Sequence, residues 1–337
     1  MTNLNTTYLG LNLKNPVIAG SSNLSTDPSV LKRIEDSGAA AIVYKSLFEE
    51  QIQLERYQME EDLGEYNERH AEMISIFPSI EHAGPQAHLE NLRKAKASLE
   101  IPLIASLNAV YKESWVDYAQ LIEQTGVDAL ELNFFAIPTK FTNDGKSIEE
   151  EQLDIIKAIK GKLKIPVSVK LSPFYTNPLH FIKQIDDLGV NGLVVFNKLF
   201  QPEINVDEEK HITPWNLSDA NDKRLPLRFT GLLYNKVNAN ICSSTGVFEG
   251  KDIAAMILAG ADAVQVVSVL YRHKPEHIAK MLSDLQAWME AKGYDSLKAF
   301  QGKLSAATLN DPFVYKRAQY VDALLNSDDL LKRARLS

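Results

Sequence analysis

Short apolar runs alternate with longer stretches of helical periodicity along most of this chain, the pattern of βα units set around a parallel sheet. Eight runs read as strands: residues 16–19, 41–44, 102–107, 129–132, 166–171, 192–196, 239–243 and 263–267. Between them, residues 115–124, 147–159, 178–188, 250–258 and 275–291 carry apolar side chains at three- and four-residue spacing and read as helices. Ser114 and Pro178 stand where helix starts are favoured. Gly38, Gly126, Gly189 and Gly260 each come just before a strand, so one αβ turn recurs, with glycine closing the helix in the left-handed conformation.

Eight such strands, with no G-x-G-x-x-G after the first, favour an α/β TIM (βα)8 barrel over an open doubly wound sheet. The expected organisation is one barrel domain over residues 1–337. Residues 47–86 and 199–224 are expected to form long loops over its carboxyl face, and 294–337 an extension packed outside it.

Composition narrows the class. The chain has 337 residues, 45% of them hydrophobic, enough for a large buried core. A formal net charge of -8 disfavours nucleic acid and anionic membrane surfaces as partners, since both are polyanions. Cys242 is the single cysteine, which rules out an internal disulfide or a multi-cysteine metal site and suits a reducing cytoplasm. Inside a strand it reads as a packed thiol. No run approaches the roughly 20 apolar residues of a membrane span, and residues 1–8 lack the features of a signal peptide, so a soluble cytoplasmic protein is expected. The seven histidines are read as forming no H-x-x-x-H or comparable pattern, so no catalytic metal is expected.

Active sites of such barrels lie at the carboxyl ends of the strands. There the chain reads Gly20-Ser21-Ser22, Lys45-Ser46, Asn108, Asn133, Lys170, Asn197, Ser244-Thr245-Gly246 and Val267-Ser268. An unpaired ammonium is costly to bury, so Lys45 and Lys170 point to an anionic or electron-rich ligand. A structural salt bridge with a carboxylate such as Glu131, or a Schiff-base role, remains open for them. Thr245-Gly246 and Ser268 are placed to hold a phosphate, a tight turn being the alternative. Asn108, Asn133 and Asn197 complement the amide and imide edges of a flavin or pyrimidine, with capping as the alternative.

With these positions in hand, the chain resembles the dihydroorotate dehydrogenase family, and most of all its class 1 members, from about Leu9 to Leu304. The resemblance rests on Asn15-Pro16-Val17-Ile18-Ala19-Gly20-Ser21-Ser22, Lys45-Ser46, Glu131-Leu132-Asn133, Val169-Lys170-Leu171-Ser172-Pro173, Asn197, Thr245-Gly246-Val247 with Gly250-Lys251-Asp252, Ala259 to Val266, and Phe300-Gln301-Gly302-Lys303-Leu304. It implies FMN as cofactor and dihydroorotate or a similar cyclic amide as substrate. An acceptor such as fumarate or a redox protein, and a homodimer, are implied as well. Gly20, Ser21 and Ser22 would line the ring and ribityl chain, and Lys45 and Lys170 would approach the ring. Asn133 and Asn197 would reach the substrate, and Thr245, Gly246 and Ser268 the phosphate.

The chain departs from the family after the fourth strand, where Asn133-Phe134-Phe135-Ala136-Ile137-Pro138 puts Ala136 in place of the Cys or Ser base. A missing general base is worth about 10² to 10⁴ in rate. Tyr111, Thr139 and Lys140 are the candidate replacements. The departure also implies two other activities, an FMN-dependent reductase of another cyclic substrate and a catalytically impaired FMN-binding protein.

Overall fold

A computed structural model describes residues 2–54, 85–135 and 139–326. Among the described residues, eight short strands form the ring of one parallel sheet: β1 (Val17–Ala19), β2 (Ala41–Val43), β3 (Leu103–Asn108), β4 (Ala129–Asn133), β5 (Val167–Leu171), β6 (Gly192–Val195), β7 (Asn240–Ser244) and β8 (Ala263–Val266). Each pairs with the next in chain order, and β8 returns to β1 with Val264 opposite Val17. The sheet is therefore closed, as the barrel reading expected. Each strand leads into a helix: α1 (Pro28–Asp36), α2 (Pro85–Ser98), α3 (Lys112–Glu123), α4 (Gly145–Lys160), α5 (Pro178–Asp187), α6 (Arg224–Leu233), α7 (Gly250–Ala259) and α8 (His277–Lys292).

The side-chain period of two splits each strand between two cores. Outward residues such as Val17, Leu130, Val169 and Leu193 pack against the helices in a large apolar shell. Inward ones make a smaller cluster of Ile18, Ala41, Val43, Ile104, Ala129, Val194, Cys242 and Ala263. A hairpin of Thr6–Tyr8 and Leu11–Leu13 closes this inner core with Tyr8, Leu9 and Leu13. Its turn has φ +57° at Leu9 and +73° at Gly10, the two-residue geometry that matches strand twist. Higher along the same inward rows, towards the carboxyl end, apolar gives way to polar: Ile104 to Ser106 and Asn108, Ala129 to Glu131 and Asn133, Ala263 to Gln265.

The four glycines of the repeated αβ turn all have positive φ, from +74° at Gly189 to +124° at Gly260. Pro178 opens α5 behind the cap Asn177. Ser114 differs from its expected role. α3 begins two residues earlier behind Tyr111, and Ser114 is buried inside it, donating its hydroxyl to Glu49 Oε1 at 3.0 Å. Of the segment expected as a loop at 47–86, residues 55–84 lie outside the described residues. Leu47–Phe48 pairs with the end of β3, and Pro85 already starts α2. Within 199–224 there is a second hairpin, Glu203–Asn205 with Lys210–Ile212. Beyond α8 the chain crosses the outside of α6 and α7, where Gly302 N donates to Ile257 O at 2.8 Å and Ala306 N to Gly231 O at 2.8 Å. No helix among the described residues is long and apolar enough to cross a membrane.

Candidate active site

A cavity of about 470 Å³ opens at the carboxyl ends of the strands, within the roughly 300–1,000 Å³ typical of cofactor and ligand pockets. Ser21, Ser22, Lys45, Ser46, Asn133 and Lys170 line it from the first five units. Asn197, Ser244, Thr245, Gly246, Val267 and Ser268 line it from the rest. Two of the residues expected here do not. Gly20 lies behind the wall, where a side chain would come within 2.7 Å of Val267. Asn108 turns away from the cavity, and its amide donates to the carbonyls of Asn133 at 2.7 Å and Phe135 at 3.2 Å. It braces the turn after β4, where the Asn133 carbonyl also accepts from Phe135 N at 2.9 Å.

Lys45 owes its position to a bulge. Val43 pairs with Ile104 and Leu47 with Leu107, so four steps on one side face three on the other. The extra residue lets Lys45 and Ser46 both face inward. Ser46 joins a hydroxyl chain to Ser21 at 3.2 Å and Ser106 at 2.7 Å. Lys45 has no carboxylate partner among the described residues, and burial lowers its pKa from the ordinary lysine value. His88, on α2, meets Tyr44 edge-on at 5.5 Å. Burial, helped by the charge of Lys45, pushes its pKa down to about 4.

Lys170 is buried, and its ammonium donates to Gln265 Oε1 at 3.0 Å. Gln265 Nε2 in turn donates to Glu131 Oε2. Glu131 Oε1 lies 3.9 Å from Lys170 Nζ, so the salt bridge left open in the sequence exists for Lys170 and not for Lys45. Asn197 Nδ2 donates to Asn133 Oδ1 at 2.6 Å, which leaves one amide donor and one amide acceptor side by side for a ligand.

At the opposite end, Ser218 N and Oγ both donate to Ser268 Oγ, at 2.9 and 2.8 Å. Gly246 N donates to Ser218 Oγ at 3.4 Å. Gly246 has φ +77°, and a Cβ there would sit 2.2 Å from Lys223 N, so only glycine lets the two loops meet. Neutral hydroxyl and amide donors converging beside the start of α7 suit a phosphate, and the two ammonium groups suit an electron-rich ring. The residues present thus fit FMN. Ser218 was missed in the sequence because it belongs to the 199–224 segment, whose path no local pattern reveals. Gln265 did leave a signal, as the single polar residue in the apolar run of β8.

The same segment supplies an aromatic wall. Trp215 packs against Phe200 with centroids 6.2 Å apart and against Tyr271 at 5.8 Å, and all three line the cavity with Phe48 and Phe135. Tyr111, Thr139 and Lys140 do not line it, and Ala136 lies outside the described residues. A second cavity of about 370 Å³ adjoins the first through Asn197, Lys198, Asn216 and Thr245.

A family model described as dihydroorotate dehydrogenase matches residues 3–289, the stretch that builds this barrel and its mouth. The chain belongs to the dihydroorotate dehydrogenase family. Its relatives include the dihydroorotate dehydrogenase B (NAD(+)) catalytic subunits of Methanocaldococcus jannaschii, 27% identical over 85% of this chain and 94% of that one, and of Caldicellulosiruptor bescii, 25% identical over 90% and 99%. The dihydroorotate dehydrogenase A (fumarate) of Limosilactobacillus reuteri is 27% identical over 86% and 94%. Of the residues that carried the resemblance, Lys45, Lys170, Thr245 and Gly246 line this cavity together.

His273 and His277 stand four apart and stack at 4.9 Å, a pair that the expectation of no metal passed over. Among the described residues no group of three or more His, Cys, Asp or Glu side chains is placed to hold a metal. Cys242 is fully buried, and burial raises its pKa well above the ordinary thiol value.

Proposed function

We propose that the chain is an FMN-dependent oxidoreductase acting on the CH–CH bond of dihydroorotate or a related cyclic amide. The carrying observation is that two ammonium groups and a hydroxyl-amide cradle, brought together from separate βα units, line one cavity at the carboxyl face of this family's barrel. FMN, when bound, supplies hydride acceptance and return. Ser218, Gly246 and Ser268 would hold its phosphate, and Lys45 and Lys170 would lie against its ring. Their positive charge favours the electron-rich form. Asn133 and Asn197 present a donor and an acceptor that orient a cyclic amide, and the aromatic wall excludes water from it. An external acceptor such as fumarate or a redox protein completes the cycle. The assembly is a homodimer in the cytoplasm in this reading.

A second reading is favoured by one observation: no carboxylate, thiol or imidazole lines the cavity among the described residues. Ammonium and phenol groups donate protons more readily than they accept them, which suits reduction of another cyclic substrate. One experiment separates the two. The purified protein is expected to take up FMN and turn yellow, and dihydroorotate added without oxygen is expected to bleach it. A protein that stays colourless in excess FMN refutes both. Uptake without bleaching, followed by reoxidation of the reduced protein by a different cyclic acceptor, selects the second.

A further inference from the structure

The inward row of β4 places Glu131 deep in the barrel, below the cavity and 1% exposed. One oxygen of its carboxylate is engaged by Gln265, while Oε1 has no hydrogen-bond partner. Gln265 also receives the Lys170 ammonium at 3.0 Å, so a single amide spans acid and base with its donor on one and its acceptor on the other. We propose that Glu131 is a positioning residue. Acting through Gln265, it fixes the Lys170 ammonium beneath the cavity and offsets part of its charge, which sets how strongly a bound redox ring is drawn to its reduced form. The flavin part of this inference rests on the proposed function; the hold on Lys170 does not.

The surroundings make Glu131 the charge that matters. Tyr8 and Cys242 face the same interior, and burial raises both far above their ordinary values, so they stay neutral. Asp262 is engaged elsewhere, by Ile241 N at 2.8 Å and Gln301 Nε2 at 2.9 Å. Ser168, the inward residue just before Lys170 on β5, is uncharged, and its hydroxyl has no partner. Two other cations line the cavity: Lys198, which pairs with Asp222 at 2.9 Å, and Lys45, which has no carboxylate of its own among the described residues. The two lysines that end strands therefore differ in kind, Lys45 unopposed and Lys170 tempered from below. A structural role alone explains a buried acid held by a neutral amide. It does not explain why the free carboxylate oxygen faces the one lysine that enters the cavity from β5.

The test titrates Lys170 by carbon-13 lysine NMR in the full chain, with its signal assigned by its loss in Lys170→Met. Glu131→Gln, which keeps shape and hydrogen-bonding capacity, is expected to raise the Lys170 acid dissociation constant at least ~10-fold. Glu131→Asp is expected to recover most of the wild-type value, and Ser168→Ala to leave it unchanged. In FMN-loaded protein, Glu131→Gln is expected to raise the midpoint potential and Lys170→Met to lower it. An unchanged Lys170 titration in Glu131→Gln, or an equal shift in Ser168→Ala, overturns the inference. Failure of every variant and the wild type to bind FMN overturns the proposed function instead, and the Lys170 titration still decides this one.

Discussion

Gly246→Ala tests the meeting of the two loops at the phosphate end. The new methyl would lie 2.2 Å from Lys223 N, 2.8 Å from Lys223 Cα and 2.9 Å from the Asp222 carbonyl carbon. All three are backbone atoms, so no side chain can swing aside. A non-glycine residue at φ +77° costs about 1–2 kcal/mol, and forcing a methyl into packed backbone adds roughly 1–3 kcal/mol. The expected destabilisation is therefore about 2–5 kcal/mol. At about 2.1 cal/mol/K per residue, unfolding 337 residues carries an entropy near 0.7 kcal/mol/K, so Tm should fall by roughly 3–7 °C. The 219–223 segment must also move, which parts Ser218 from Ser268. Loss of one charge-assisted phosphate contact costs about 1.5–3 kcal/mol, roughly 10- to 150-fold in the Kd for FMN. Thermal unfolding of the FMN-free protein and a fluorescence titration with FMN measure the two effects. If Gly246→Ala unfolds within a degree of the parent and binds FMN equally well, the cradle described here is wrong.

His88 is buried neutral with its pKa lowered to about 4, so the unfolded chain binds more protons between that value and about 6.5. Stability is full above pH ~6.5 and is lost as pH falls towards 4, by up to ~3 kcal/mol. His88→Phe keeps an aromatic partner for Tyr44, and its Tm should fall less steeply over that range; an unchanged slope refutes the assignment. Lys45→Met removes a desolvated cation, so the FMN-free protein should be no less stable, while flavin reduction measured by stopped flow should slow ~10²- to 10³-fold. A large loss of Tm with the rate intact would contradict the role given to Lys45. Trp215 is 67% exposed, so Trp215→Ala should leave Tm nearly unchanged yet raise KM for a cyclic substrate more than it lowers kcat. Equal KM in the two proteins would remove the aromatic wall from the site.

Much of this barrel is readable without coordinates because its signals are local. Alternating apolar runs make strands, glycine before four of the strands marks a left-handed helix end, and a lysine closing an apolar strand announces a partner. Twelve of the fourteen residues expected around a cofactor do line one cavity, since the carboxyl end of every strand in a parallel barrel faces the same mouth. What escaped that reading is long-range. Asn108 and Asn133 look alike in the sequence, yet one braces backbone and the other faces the cavity, because only the fold brings the Asn133 and Phe135 carbonyls to the Asn108 amide. Gln265 stands 95 residues from Lys170 and 134 from Glu131, and only the closure of β8 onto β1 brings it between them. The 199–224 segment carries Trp215 and Ser218 to the mouth by packing against Tyr271 and Ser268, contacts that no periodicity encodes. Strand and turn follow from short-range sterics and burial; the pairing of charges inside the cylinder follows from register and ring closure, which belong to the whole chain at once.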